Sequence, residues 1–205
     1  MQSIKVVKFS SDNLYYHSLI YIVKEEFDSK VFTSSSVNYG SECVFYNKKI
    51  PYDKEIILID GSNLRSGVEY IRERCNYNNH GIIIIAPKVI SRIIMSCIRF
   101  NKDDITWLDM NCTKEALVHS LTGNSSISKN KISKLLTLAE LKTVKYILCG
   151  YSNRSTAYFL KKNEKTISYI KKNAMRKMEI SDFALALKLT SSCEFKRFID
   201  YALEV

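Results

Sequence analysis

Glycine is scarce in this chain, with six residues in 205, and no glycine-rich phosphate loop can be assembled from them. Histidine is scarcer still: His17, His80 and His119 lie far apart in sequence and are read as structural. No nucleophile elbow accompanies them, so the sequence offers no constellation for acid–base or covalent catalysis and the chain is not expected to be an enzyme. The six cysteines, Cys43, Cys75, Cys97, Cys112, Cys149 and Cys193, form no C-x-x-C pair and have no pair of histidines nearby. They are read as reduced, mostly buried small apolar residues, and neither a metal nor a cofactor is expected. Long apolar runs are missing too. Nothing approaches the ~18 residues of a spanning helix, and the opening Met1-Gln2-Ser3-Ile4-Lys5 lacks the apolar core of a signal peptide. No membrane association is expected, and the protein is read as cytoplasmic.

What is present is ordinary in amount and uneven in placement. The chain is 46% hydrophobic and 25% charged, enough apolar material for real cores, and its length admits one large domain or two small ones. Residues 1–128 carry 15 Lys and Arg against 14 Asp and Glu, leaving +1, whereas residues 129–205 carry 16 against 7, leaving +9. A basic C-terminal third of this kind attracts polyanions, because neutralising phosphates with Lys and Arg supplies most of the sequence-independent affinity for DNA.

The first 120 residues alternate β-rich runs with helical patterns. Strands are expected at Ile4–Phe9, Lys30–Thr33, Glu55–Asp60, Gly81–Ala86 and Ile105–Leu108. Ile56-Ile57-Leu58-Ile59 and Ile82-Ile83-Ile84-Ile85 are continuous apolar runs, the pattern of strands buried on both faces of a parallel sheet. A helix is expected over Leu14–Phe27. Five strands alternating with helices predict a flavodoxin-like, doubly wound α/β domain over 1–121.

Residues 122–134, polar and serine-rich through Gly123–Lys134, are read as a linker. From 135 to 205 the pattern is all-α. Thr137 with Glu140 makes a capping box, and Leu136 with Leu141 has the spacing of a hydrophobic staple. That helix should end at Gly150, the residue type best suited to a left-handed terminus. Ser152, Asn163 and Ser181 are placed to cap further helices, through Leu160, over 164–178 and over Asp182–Leu189. Phe195, Phe198, Ile199 and Leu203 mark a last amphipathic segment, read as packing on its own domain.

The helix over 164–178 divides cleanly. Ile167, Ile170, Ala174 and Met178 form one apolar stripe, and Lys165, Tyr169, Lys172 and Arg176 lie opposite, with Ser168 beside them. Side chains of those types reach phosphates or base edges when a helix enters the major groove.

From Leu136 to Met178 the chain resembles the C-terminal domain of the LuxR/FixJ/NarL-type helix-turn-helix regulators. The resemblance rests on Leu136-Thr137, Glu140, Ile147-Leu148, Gly150, Ser152-Asn153, Ala157, Leu160, Glu164-Lys165-Thr166-Ile167 and Met175-Arg176-Lys177-Met178. The chain departs from the pattern at Thr156, where Ile is usual, at Asn163, a capping Ser, and at Ile170, often His. The resemblance implies a four-helix DNA-binding domain with base-reading positions at Ser168, Tyr169 and Lys172, and phosphate contacts on or near Ser152, Asn153, Lys165 and Thr166. Charge alone adds Lys171, Arg176 and Lys177 as phosphate partners. The resemblance also implies dimerisation through the fourth helix, with Phe183 and Leu187 on the pairing face.

The first domain resembles the receiver of the same regulators, with Asp60 at the phosphoacceptor position. Its companions differ. Ser10-Ser11 stand where the family has an acidic pair, with Asp12 one step beyond; Ala86 stands at the hydroxyl position and Asp109 at that of the Lys. Without the acids Mg²⁺ has too few hard ligands, and without the Lys developing phosphoryl charge loses its counter-charge. The expectation is a degenerate receiver with a vestigial Asp60, similar to Rcs-type accessory regulators. The helix-forming stretch Ile90–Phe100 is either a docking surface of that domain or part of a core. The chain is then a bacterial transcription regulator that binds double-stranded DNA as a homodimer, or as a heterodimer with another response regulator, without phosphorylation. The alternative is a protein-interaction co-regulator that heterodimerises with a full response regulator and adds little DNA specificity itself.

Overall fold

The computed structural model describes residues 3–27, 30–35, 54–77, 81–100, 105–122, 135–181, 184 and 192–204. The expected linker and most of the helix expected over Asp182–Leu189, with Phe183 and Leu187, lie outside the described residues. Two compact units emerge, one of Met1–Pro87 with Asn101–Lys129, the other of Lys88–Phe100 with Asn130–Val205.

In the first unit β1 (Ser3–Phe9), β2 (Lys30–Ser35), β3 (Lys54–Ile59), β4 (Gly81–Ala86) and β5 (Ile105–Asp109) make one parallel sheet in the order β2-β1-β3-β4-β5. All four pairings are parallel, and the order is that of flavodoxin-like domains. Strand pleating sends Ile4, Val6, Ile56, Leu58, Ile83 and Ile85 to one face, where they pack with Tyr16, Leu19 and Val23 of α1 (Asn13–Phe27) and Leu117 and Leu121 of α4 (Lys114–Thr122). On the other face α2 (Leu64–Tyr77) lies so close that a Cβ at Gly67 would meet the Ile59 side chain at 3.0 Å and that of Phe9 at 3.3 Å. Burying each of these large side chains contributes about 2 kcal/mol, which is why the continuous isoleucine runs select this two-sided sheet. One charge is buried with them: Glu55, 1% exposed, accepts from Tyr70 at 2.5 Å and pairs with Lys5 at 2.9 Å.

The second unit is helical: α3 (Lys88–Cys97), α5 (Leu138–Leu148), α6 (Asn153–Phe159), α7 (Glu164–Met178) and α8 (Ser192–Glu204). Its core gathers Leu141 and Val144 of α5, Ala157 of α6, Ile167, Ala174 and Met178 of α7, and Phe195, Phe198 and Ile199 of α8. α8 is the expected amphipathic tail segment, and it packs on α5, where Lys145 also meets Asp200 at 2.6 Å.

The helix α3 belongs to this unit although it lies well before residue 121 in sequence. The Leu136 amide donates to the Ser96 carbonyl at 2.7 Å, the Ser96 hydroxyl donates to the Arg92 and Lys177 carbonyls, and Arg92 pairs with Glu179 at 2.9 Å. Ile90, Ile93 and Ile94 are fully buried. Of the two readings of Ile90–Phe100, the structure selects core, since buried isoleucines present no docking surface.

Candidate nucleic-acid interface

Three short helices in succession, α5, α6 and α7, are each opened and closed by identifiable backbone chemistry. Thr137 accepts from the Glu140 amide while Glu140 accepts from the Thr137 amide at 2.7 Å, the reciprocal capping box. Ser152 accepts from the Ser155 amide at 3.1 Å and Asn163 from the Thr166 amide at 2.7 Å. The three helices end alike, on a residue with left-handed backbone: Gly150 (φ 84°), Lys161 (φ 51°) and Glu179 (φ 51°). In each case the next amide closes a six-residue loop: Tyr151 to the Tyr146 carbonyl, Lys162 to that of Ala157, and Ile180 to that of Met175. These caps fix where α6 stops and α7 starts.

α7 carries the expected division into two faces. Ile167, Ala174 and Met178 are fully buried, and Ile170 is partly so. Lys165, Ser168, Tyr169, Lys172 and Arg176 are exposed, Tyr169 at 67%. The one carboxylate in the helix is Glu164, in its first turn. The outward face from Lys165 to Arg176 therefore presents cations, a hydroxyl and a phenol, with no acid among them.

Other sequence-predicted positions are more constrained. The Thr166 hydroxyl donates to Asn163 Oδ1 at 2.7 Å, so it serves the cap of its own helix. Ser152 is exposed but spends its oxygen on the Ser155 amide and hydroxyl, and Asn153 is half-buried. Lys171 is half-buried as well. Lys177, counted from charge as a phosphate partner, is turned inward: its Nζ lies 2.6 Å from Glu140 Oε2 and 3.0 Å from the Leu135 carbonyl. That assignment is corrected, because a cation bound to a buried carboxylate is not offered to a polyanion. Burial raises the Glu140 carboxyl's proton affinity, but the bonds from Lys177 and Thr137 outweigh it and hold the group below its ordinary value.

Just after β3, the Asp60 carboxylate is held by hydroxyls and backbone amides. Oδ2 accepts from the Ser10 hydroxyl at 2.7 Å, the Ser11 amide at 2.7 Å and the Ser11 hydroxyl at 3.0 Å; Oδ1 accepts from the Ser62 amide at 2.8 Å and its hydroxyl at 2.6 Å. Burial pushes the Asp60 carboxyl up, and the bonds from Ser62, Ser10 and Ser11 bring it below its ordinary value. Asp12 caps α1 through the Tyr15 amide, and Asp109 accepts from the Asn111 amide in a turn. Among the described residues no cluster of His, Cys, Asp or Glu is arranged to hold a metal ion. The residues present do not fit Mg²⁺: the serines donate to Asp60 where a metal site would need further anionic oxygens.

No protein-family model and no curated protein matches the sequence. Solved structures do resemble the fold. The chain is similar to that of two RcsB dimers bound to two parallel DNAs, with a TM-score of 0.59, 14% identity, and 97% of this chain and 98% of that one covered. It is equally similar to a complex of the two-component response regulator RcsB with DNA, with a TM-score of 0.59, 15% identity and the same coverage. RcsB from Salmonella enterica serovar Typhimurium, bound to the promoter rprA in the presence of phosphomimetic BeF3⁻, matches at a TM-score of 0.50 and 13% identity, covering 98% of this chain and 99% of that one. Identities this low establish likeness of fold. Among the described residues, no helix is long and apolar enough to cross a membrane.

Proposed function

We propose that this chain is a sequence-specific, double-stranded DNA-binding transcription regulator in which α6, its turn and α7 form a helix-turn-helix. The observation that carries the reading is the division of α7, with Ile167, Ala174 and Met178 buried and Lys165, Ser168, Tyr169, Lys172 and Arg176 outside. In this reading Ser168, Tyr169 and Lys172 contact base edges in the major groove. Lys165 and Arg176, with Ser152 and Asn153 at the start of α6, contact phosphates. A phosphate contact at Thr166 would have to replace its bond to Asn163. The solved RcsB structures that share the fold, two of them DNA complexes with a TM-score of 0.59, support the reading at the level of architecture.

The regulator acts as a dimer, with itself or with another response regulator, and does so without phosphorylation. Asp60 supports the second point: its carboxylate oxygens already accept five hydrogen bonds from Ser10, Ser11 and Ser62. An attacking carboxylate would have to break these bonds, and β5 ends on Asp109 rather than on a lysine that could meet the transferred phosphoryl charge.

The test is titration of the full-length protein onto duplex DNA over a range of salt. Binding whose logarithm falls linearly with log salt, with a shallower slope in Lys165→Ala and Arg176→Ala, is the expected outcome. A slope unchanged in both variants would move the interface away from α7.

A further inference from the structure

Exposed aromatic rings collect at one place in the helical unit. Tyr158 is 82% exposed, Phe159 46% and Tyr151 43%. Phe159 stacks on Tyr146 of α5, with centroids 5.4 Å apart and planes within 5°, and it meets Tyr151 edge-on at 5.0 Å and Tyr158 edge-on at 5.8 Å. Tyr146 and Tyr151 also flank the α5 terminus, where an apolar contact between those two positions steadies the turn. That local role accounts for neither Tyr158 nor Phe159, whose exposure leaves apolar surface in water.

The stretch of chain that carries these rings is charged with one sign. Between Leu141 and Asn163 there is no Asp or Glu, and five Lys or Arg: Lys142, Lys145, Arg154, Lys161 and Lys162. Lys145 is engaged by Asp200. Arg154, Lys161 and Lys162 are exposed and make no ion pair among the described residues. Arg154 stands one helical turn from Tyr158, on the same side of α6. Lys161 is kept at a left-handed position (φ 51°) where glycine would be easier. The charge there is held against a conformational cost.

We propose that this aromatic, cationic face of α5 and α6 docks an acidic segment of a partner protein, one carrying Asp or Glu beside Leu, Phe or Trp. Three physical points select that occupant. Tyrosine and arginine are the residue types that dominate protein–protein contact energies. Aromatic rings carry positive potential at their edges, and Tyr158, Phe159 and Tyr151 are exposed beside cations, a combination suited to carboxylates. Because Tyr146 and Phe159 already occupy each other's faces, the stacking surface that a single-stranded nucleic acid would need is reduced. The proposal does not depend on base reading by α7, although α6 also carries the proposed phosphate contacts at Ser152 and Asn153.

The experiment selects displayed random peptides on the full-length protein, with counter-selection on a Tyr158→Ser/Arg154→Glu variant. Both positions are exposed, and the variant's melting curve should match the parent's. The expected pool is rich in Asp and Glu next to Leu, Phe or Trp, and a synthetic member should bind the parent roughly ten-fold or more tightly than the variant. Lys161→Gly should weaken that peptide while raising the melting temperature, separating the charge from the fold. Peptides without acidic residues, equal binding by parent and variant, or failure to enrich would each overturn the proposal. So would a single-stranded oligonucleotide that displaces the peptide and binds the same rings more tightly.

Discussion

Lys177 Nζ lies 2.6 Å from Glu140 Oε2, so a residue from the last turn of α7 neutralises the capping box that starts α5. Both side chains are largely out of water, at 17% and 8% exposure. Removing one partner of such a pair leaves the other charge uncompensated, at a cost of about 3 kcal/mol. Lys177→Ala should lower the unfolding free energy by that order, and Lys177→Ala/Glu140→Gln should recover part of it in a double-mutant cycle read by urea denaturation. Exposed Arg176, next to it, should be neutral in the same measurement.

The pH dependence follows from the same carboxylates. Asp60 and Glu140 are both held below their ordinary values, so the unfolded chain binds these protons more tightly than the folded one. Their stabilisation is complete above the unfolded carboxyl values, about pH 4, and is lost as pH falls through the lower folded values. Urea midpoints should be level from neutral pH down to about 5 and fall below about 4. In Lys177→Ala the acid fall should be shallower, because Glu140 then loses the partner that depresses it.

Asp60→Ala removes the acceptor of three hydroxyls and two amides. We expect a loss of about 2 kcal/mol in stability, the cost of leaving partly buried donors unpaired, with DNA affinity unchanged. Beryllofluoride with Mg²⁺ should leave the parent's melting temperature where it was; a clear upward shift would show that the site accepts a phosphoryl mimic.

Thr156 is fully buried, and its hydroxyl finds no hydrogen-bond partner among the described residues. Valine has the same shape without the unmet polar group. Thr156→Val should therefore stabilise the protein by about 1 kcal/mol in chemical denaturation. A loss would mean that the hydroxyl is satisfied by water.

How much of this was legible in the sequence depends on the range over which each feature is decided. The sheet was legible because Ile56–Ile59 and Ile82–Ile85 leave no polar side to expose, so burial on both faces was the one consistent choice. Helix starts were legible for a local reason: Thr137, Ser152 and Asn163 each bind an amide three residues on. The left-handed ends at Lys161 and Glu179 were not, since neither residue type signals that conformation and the surrounding turn imposes it. Lys177 was misread from charge alone, because its partner is 37 residues away. Ser10 and Ser11 stand out in the sequence, but their closure onto Asp60, across about 50 residues, required the sheet to bring β1 and β3 side by side. The Tyr158 and Phe159 surface was invisible for the opposite reason, since aromatic residues in a short helix read as core until their exposure is seen.

Single substitutions on α7 should sort the contacts by kind. If Lys172 reads a base, Lys172→Ala should weaken binding to a selected site by about 1–3 kcal/mol and leave random DNA nearly unaffected. Arg176→Ala should weaken both equally and reduce the salt slope by about one. Equal loss on both DNAs for Lys172→Ala would reassign it to a phosphate.

The most direct measurement is retention of fragmented genomic DNA on the full-length protein at near-physiological salt, followed by sequencing, alongside a Ser168→Ala/Tyr169→Ala/Lys172→Ala variant. A short, roughly two-fold-symmetric site should be enriched by the parent and lost in the variant while its fold is intact. Enrichment of the same site by both proteins, or only unselective, salt-sensitive retention by the parent, would contradict the claim that this chain reads DNA through α7.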